Sequence, residues 1–156
     1  MQRQENKKMK RSIYIGADSA GYALKEQFKT YLAELGYEVH DCGCDSEASC
    51  HYPEFASKVC RAVQEDLEGR FGILICGTGI GMSMCANKHR GIRAAVCADT
   101  YSARMTRAHN DANVLCIGAR VTGSCLATDI LDAFLAAEYE GGRHAIRVGM
   151  MMDFEK

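Results

Sequence analysis

A short loop that combines a thiol, a hydroxyl and three glycines is the strongest chemical signal in this chain. It follows an apolar run and comprises Cys76, Gly77, Thr78, Gly79, Ile80 and Gly81. Glycines at this spacing allow several backbone amides to point at one place, and a helix that begins there adds partial positive charge. Such a loop can hold a phosphate or the developing oxyanion of an enediolate. We therefore interpret it as an anion-binding loop rather than as a structural turn.

Cys76 lies where the apolar run meets this loop. Backbone amides at the start of a helix stabilise a thiolate relative to a thiol. A thiolate held there can remove a proton from the carbon next to a carbonyl group. A cysteine taken alone is more often an inert part of the core, but the position beside the glycines favours a catalytic base.

The glycine spacing matches neither of the common nucleotide-binding loops. The dinucleotide fingerprint follows the first strand and needs a third glycine where this chain has Met82. A P-loop needs lysine and then serine or threonine after its glycines, and this loop has neither pair. We therefore expect neither a nicotinamide cofactor nor ATP.

Two further segments carry polar side chains that suit a sugar phosphate. His109 lies beside Asn110 and close to a carboxylate, a setting that fits either proton transfer or a structural histidine. Arg143 and Arg147 are four residues apart and so share one face of a helix. Paired guanidinium groups suit a phosphate, although a solvated helix face has the same pattern.

The nine cysteines are many for a chain of 156 residues. Several lie in apolar segments, as buried free thiols do, and their odd number does not suggest a complete disulfide framework. The spacing of Cys42, Cys44, Cys50 and His51 is too irregular for a zinc site. We therefore expect free thiols, a reducing cytoplasm and no metal ion.

Short apolar runs alternate with helical patterns along the chain, which predicts a parallel sheet with helices on both faces. The predicted strands are residues 12–17, 37–41, 71–76, 92–97 and 114–117. Residues 1–11 are predicted to be a disordered extension, and residues 12–156 a single domain that ends in a C-terminal arm. In such sheets ligands bind outside the carboxyl ends of the strands, where the glycine loop lies.

Charge and hydropathy exclude two classes of partner. The net charge is −1 at neutral pH, so we expect no nucleic acid. No apolar run approaches the length of a membrane span, and the basic N-terminal segment lacks the apolar centre of a secretory signal. We expect a cytoplasmic protein that does not contact a membrane.

Five segments taken in order resemble the type B ribose-5-phosphate isomerases, whose family also holds the two galactose-6-phosphate isomerase subunits. They are GADSAGYALK, HYPEFA, ILICGTGIGMSMCANK, RAHNDANVLCIGAR and YEGGRHAIRV, within residues 12–148. The resemblance implies a Rossmann-like three-layer α/β/α sandwich with a five-stranded parallel sheet. It also implies a homodimer, sometimes paired into tetramers, with an active site shared between subunits and no cofactor.

The resemblance also implies roles for single residues. Cys76 would move the proton between C1 and C2 of the sugar, Thr78 would assist transfer between the oxygens, and the loop amides would stabilise the enediolate. His109 and Asp18 would open the furanose ring. The expected substrate-binding residues are Ser19, Tyr52, Gly77, Gly79, Ile80, Gly81, Asn110, Arg120, Arg143 and Arg147.

Two positions depart from patterns within the family. One branch carries its base as a glutamate after the last loop glycine, where this chain has Met82, so Cys76 remains the candidate base. Most members have histidine where this chain has Ser19, and that histidine helps bind the phosphate. The implied function is interconversion of ribose 5-phosphate and ribulose 5-phosphate in the pentose phosphate pathway. A hexose-phosphate isomerase acting on allose or galactose 6-phosphate and a catalytically silent sugar-phosphate-binding module are the alternatives.

Overall fold

The structure, a computed structural model, describes residues 9–156. Within them, the strands are β1 (Ser12–Ala17), β2 (Val39–Asp41), β3 (Arg70–Cys76), β4 (Ala94–Val96) and β5 (Val114–Gly118). The α-helices are α1 (Tyr22–Glu34), α2 (Tyr52–Gln64), α3 (Ile80–Ala86), α4 (Thr100–Asn110), α5 (Ser124–Ala136) and α6 (Arg143–Met152), followed by a 3₁₀ turn over Asp153–Glu155. No helix among these residues has the length and apolar character that a bilayer span requires.

The strands form one sheet in the order β2-β1-β3-β5-β4, and every pair is parallel. The central strand β3 is buried from its second residue onward, and β5 is buried throughout. Continuous apolar strands of this kind need helices on both faces, because neither face can be left in water. The predicted five-stranded parallel α/β sandwich is confirmed.

Successive side chains of each strand point to opposite faces of the sheet, so the core consists of two clusters, one on each face. Ile73 and Ile75 of β3 pack in one cluster with residues of α1, α4 and α5. Leu74 and Cys76 point the opposite way and pack in the other cluster with residues of α2 and α3. Since successive side chains of a strand face opposite sides, the burial of Leu74 also fixes the direction of Cys76.

The edge strand β4 is shorter than the predicted strand over residues 92–97. The Asn87 side chain donates to the carbonyl of Ala94 at 2.9 Å and accepts from its N–H at 2.8 Å. The Asn113 side chain accepts the N–H of Arg93 at 2.8 Å. Asn87 thus satisfies backbone groups on the exposed side of β4, and the Asn113 side chain takes the place of a backbone partner at Arg93, so regular pairing covers only Ala94–Val96.

The two ends of the chain pack on the domain differently. The predicted C-terminal arm is mostly helical: α6 buries His144 and Val148, and the Glu155 carboxylate accepts the Gly91 N–H at 3.1 Å. The predicted N-terminal extension lies largely outside the described residues. Within its described part, the Arg11 guanidinium lies 4.3 Å from the centre of the Phe71 ring.

Candidate active site

The sulfur of Cys76 lies at the junction of β3 and the glycine loop. The side chain is 5% exposed, and the backbone N–H of Gly79 donates to Sγ at 3.1 Å. An amide N–H directed at sulfur stabilises negative charge that develops on that atom, because the positive end of its dipole points toward it.

The conformation of the loop requires glycine at position 79. Gly79 has a φ of +77°, and a Cβ there would lie 2.9 Å from the carbonyl carbon of Ile117 and 3.0 Å from Cγ2 of Val96. L-residues with side chains rarely adopt this backbone conformation. Gly79 therefore both turns the chain into α3 and brings its amide to the Cys76 sulfur.

The other loop residues lie open to solvent or beneath neighbouring side chains. Thr78 is exposed, and its Oγ1 accepts the N–H of Ile80 at 3.2 Å. A Cβ at Gly81 would lie 2.8 Å from the ring of Tyr52, so that ring covers this part of the loop. The loop is therefore walled by Tyr52 and reachable from the solvent beside Thr78.

Arg120 borders the loop from the end of β5. Its N–H donates to the carbonyl of Gly77 at 3.0 Å. A Cβ at Gly77 would lie 3.5 Å from Cδ and Nη1 of Arg120, so the guanidinium lies against the loop backbone. A cation at this position can bind an anion held by the loop amides.

Asp18 and Ser19 follow β1 and lie at the carboxyl end of the strands, as the glycine loop does. The N–H of Asp18 donates to the carbonyl of Ile75 at 3.1 Å, which fixes Asp18 next to the end of β3. Its Oδ1 accepts the N–H of Gly21 at 3.1 Å. Both Asp18 and Ser19 are half-buried. The structure thus brings one group of predicted residues together: Asp18, Ser19, Tyr52, the loop from Cys76 to Gly81, and Arg120.

The remaining predicted residues lie at the opposite end of the sheet, where the parallel strands begin. His109 and Asn110 end α4 and directly precede β5, whose first residue, Val114, pairs with Gly72 near the start of β3. Cys76 pairs with Gly118 instead. Four residue steps at about 3.3 Å each separate these two levels by about 13 Å. His109 and Asn110 therefore do not reach the glycine loop of their own chain.

Arg143 and Arg147 belong to this second group, since α6 packs against α4. Both arginines are exposed. The ring of His109 stacks on the ring of His144, with centroids 4.0 Å apart and planes 7° from parallel. The second group thus presents two exposed guanidinium groups beside a pair of stacked imidazole rings.

Glu140 joins the two histidines. Its Oε2 lies 3.3 Å from Nε2 of His109 and 3.6 Å from Nε2 of His144. Burial, and then the positive charges of His109 and Arg143, lower the pKa of His144. Our sequence reasoning missed Glu140 and His144, although their four-residue spacing beside Arg143 was visible.

The other cysteines have environments unlike that of Cys76. All nine are free thiols. Burial raises the pKa of Cys60 to about 12 and that of Cys97 to about 11, so both remain protonated at neutral pH. Cys42, Cys44 and Cys50 do not gather with His51 into a group of three metal ligands in residues 9–156.

Comparison with known proteins places this geometry in a family. The model of a family described as Ribose/Galactose Isomerase matches residues 13–151. Ribose-5-phosphate isomerase B of Escherichia coli K12 is 48% identical over 147 residues, which cover 94% of this chain and 97% of that protein. A D-erythrulose-4-phosphate isomerase of Pectobacterium atrosepticum is 48% identical over 138 residues, covering 88% of this chain and 90% of that protein.

Solved structures agree with the sequence relatives. Ribose-5-phosphate isomerase B of Clostridium thermocellum matches with a TM-score of 0.90 and 51% identity, covering 92% of this chain and 97% of that one. The Mycoplasma genitalium ribose-5-phosphate isomerase B with bound ribulose 5-phosphate matches with a TM-score of 0.91 and 37% identity, covering 94% and 97%. The chain described here belongs to the ribose/galactose isomerase family.

Proposed function

We propose that this chain interconverts D-ribose 5-phosphate and D-ribulose 5-phosphate through an enediolate, as an enzyme of the pentose phosphate pathway in the cytoplasm. The observation that carries the proposal is the Gly79 amide directed at the Cys76 sulfur, in a loop open beside Thr78. The close relatives with ribose-5-phosphate isomerase activity in their names support the choice of substrate.

The proposed reaction moves one proton between carbons. The Cys76 thiolate takes the proton from C2 of the open-chain aldose, and the electron pair of that C–H bond forms a C1–C2 double bond as O1 becomes negative. Amides of the loop from Gly77 to Gly81 stabilise that charge. With Thr78 assisting, a proton passes from O2 to O1, and the Cys76 thiol then returns its proton to C1 as O2 becomes the ketose carbonyl.

The substrate first needs ring opening, which we assign to His109 with Asp18. The hydroxyl on C1 loses a proton and the ring oxygen gains one as the C1–O bond breaks. His109 lies about 13 Å along the sheet from the level of Cys76 in the same chain. We therefore propose that a homodimer builds each site from the glycine loop of one subunit and the α4–α6 end of its partner.

In this dimer the phosphate is held by arginines. Arg120 lies beside the loop of the subunit that supplies Cys76, and Arg143 and Arg147 come from the partner. Asn110 accompanies His109 and contacts the sugar together with Tyr52. Three guanidinium groups can bind a phosphate through charge-assisted hydrogen bonds and require no cofactor.

Ser19 favours a second candidate substrate class. The position is half-buried next to Asp18, and serine leaves more space and less positive charge than the histidine usual in the family. A longer substrate, such as allose or galactose 6-phosphate, is therefore the alternative. Measuring kcat/KM for ribose 5-phosphate, the two hexose phosphates and D-erythrulose 4-phosphate decides between them, and much faster turnover of a hexose overturns the choice of a pentose.

The role of Cys76 is tested by Cys76→Ala, with the exposed Cys125→Ala as matched control. Loss of the base should lower kcat by a factor of about 10²–10⁴ or more, while calorimetry shows nearly unchanged binding of the sugar phosphate. The control should keep normal activity. Near-normal turnover in Cys76→Ala would remove the thiol from its role, and tight binding without any turnover in the unsubstituted protein would favour the silent binding module.

A further inference from the structure

Three side chains of metal-ligating types outside the glycine loop bring their ligand atoms close together. Nε2 of His109, Nε2 of His144 and a carboxylate oxygen of Glu140 all lie within 4.8 Å of one another. We propose that these residues form a binding site for one divalent transition-metal ion of the Zn²⁺ class, and that the ion inhibits the enzyme.

The distances fit a small metal ion. Zinc binds imidazole nitrogen and carboxylate oxygen at about 2.0–2.2 Å, so two ligands of a tetrahedral ion lie about 3.4 Å apart. The Glu140 oxygen lies 3.3 Å from Nε2 of His109 and 3.6 Å from Nε2 of His144. Two imidazoles and one carboxylate suit zinc, cobalt or nickel better than magnesium or calcium, which prefer oxygen ligands alone.

These close contacts are not hydrogen bonds. In the part of the chain that the structure describes, both histidines meet Glu140 only as ion-pair contacts, and neither ring nitrogen has hydrogen-bond geometry toward the carboxylate. The three potential ligand atoms thus lie close together without forming hydrogen bonds with one another. A cation between them would supply the missing partner.

The backbone holds the ligands near these positions before any ion arrives. The N–H of Glu140 donates to the carbonyl of Ala108 at 3.0 Å, which fixes Glu140 next to His109. The N–H of His144 donates to the carbonyl of Gly141 at 3.0 Å. The His144 side chain is 11% exposed and that of His109 35% exposed, so the His109 ring is the one free to rotate from the stacked arrangement and direct its lone pair at the ion.

The surroundings limit both affinity and role. The Glu140 side chain is 57% exposed, which leaves room for water as the fourth ligand. Arg143 and Arg147 lie close enough to affect His144 electrostatically, and their positive charge weakens binding of a cation. The site is therefore expected to bind the ion reversibly, without a structural role.

The inhibition, unlike the binding, rests on the proposed function. An ion on Nε2 of His109 occupies the nitrogen and prevents it from exchanging a proton with the sugar. Bound zinc should therefore lower turnover of the cyclic substrate, and a chelator should restore it.

The test is a titration of the full, chelator-treated protein with Co²⁺ and Zn²⁺. We expect one Co²⁺ per chain with a visible spectrum of nitrogen and oxygen ligation and no thiolate-to-cobalt charge-transfer band, which separates this site from the nine thiols. Glu140→Gln and His144→Gln should each weaken binding by about tenfold or more. The matched control is His40→Gln, since His40 also contacts a glutamate, at 2.6 Å, but belongs to no group of three metal ligands within residues 9–156.

Each outcome decides the proposal. Absence of binding, a thiolate spectrum, or equal affinity in Glu140→Gln and the unsubstituted protein overturns the site. Thermal unfolding of each variant shows whether it is folded. If His144→Gln does not fold, Glu140→Gln still tests the site, because the Glu140 side chain is exposed. Zinc that binds as expected without inhibiting refutes only the inhibition, and absence of any isomerase activity refutes the proposed function while the binding result stands.

Discussion

Lys25, whose side chain is buried, forms an ion pair with the partly exposed Asp41, and loss of this pair should destabilise the fold. The Lys25 side chain is 0% exposed, and its ammonium group donates to the two oxygens of Asp41 at 2.8 and 2.7 Å. Asp41 ends β2 and also accepts the N–H of Gly43 at 2.8 Å, so it holds the chain that leaves the edge strand. Replacing Asp41 by asparagine keeps the shape but leaves the buried ammonium group with less compensation.

The expected loss of unfolding free energy depends on how deeply each partner of the ion pair is buried. Removing one partner of a fully buried pair costs about 3–5 kcal/mol. Asp41 is 27% exposed, and Glu26 remains 3.0 Å from the ammonium group, which reduces the loss. We expect Asp41→Asn to lower the free energy of unfolding by about 2–3 kcal/mol, and Tm by roughly 5–10 °C for a chain of this length.

Urea unfolding followed by circular dichroism measures this change, with the exposed Glu38→Gln as control. Burial raises the pKa of Asp41, but hydrogen bonds from Lys25 and Lys29 outweigh it and hold the pKa below its usual value. The carboxylate therefore contributes fully above the usual value of about 4, and its contribution is lost as the pH falls through the lower pKa of the folded state. The difference between the two proteins should shrink in acid. An unfolding free energy within about 0.5 kcal/mol of the unsubstituted protein at neutral pH, the usual range for surface changes, would refute this reasoning.

Two further substitutions test the loop and the phosphate site. Gly79→Ala should cost about 1–2 kcal/mol of stability from its left-handed backbone alone and reduce kcat sharply, because a Cβ meets Ile117 at 2.9 Å. Gly123→Ala is its control, since a Cβ there meets nothing within 4 Å, and equal kinetics in the two variants would contradict the role of the loop. Arg143→Ala should raise KM for the sugar phosphate by roughly 10–100-fold, from a charge-assisted bond of about 1.5–3 kcal/mol, with little change in kcat. Initial-rate kinetics measure both parameters, and an unchanged KM would argue against a phosphate contact.

The central part of the fold could be predicted from the sequence because its signals are local. The apolar run from Phe71 to Cys76 has no polar residue, which predicts a strand covered on both faces. The edge strand before Cys97 is shorter than its apolar pattern because the Asn113 side chain accepts the N–H of Arg93 in place of a backbone carbonyl. That contact joins residues whose proximity depends on the packed fold, and no pattern in the chain announces it.

The sequence could likewise place some residues of the candidate site but not others. The rule that ligands bind at the carboxyl ends of parallel strands placed Asp18 and Cys76 together. His109 lies shortly before β5, so the parallel arrangement already implied that it lies at the amino end of the strands. We did not draw that consequence from the sequence. The approach of Glu140 to His109 depends on the path of the tail across α4, which no local pattern specifies.

The central claim is that Cys76 of one subunit works with His109 of its partner. Cys76→Ala and His109→Asn subunits carrying different tags can be produced together, and mixed dimers isolated through both tags. Each parent dimer should be nearly inactive, while the mixed dimer has one site with neither change and should recover about half of the unsubstituted activity. Stable mixed dimers that show no more activity than their parents would contradict the shared site.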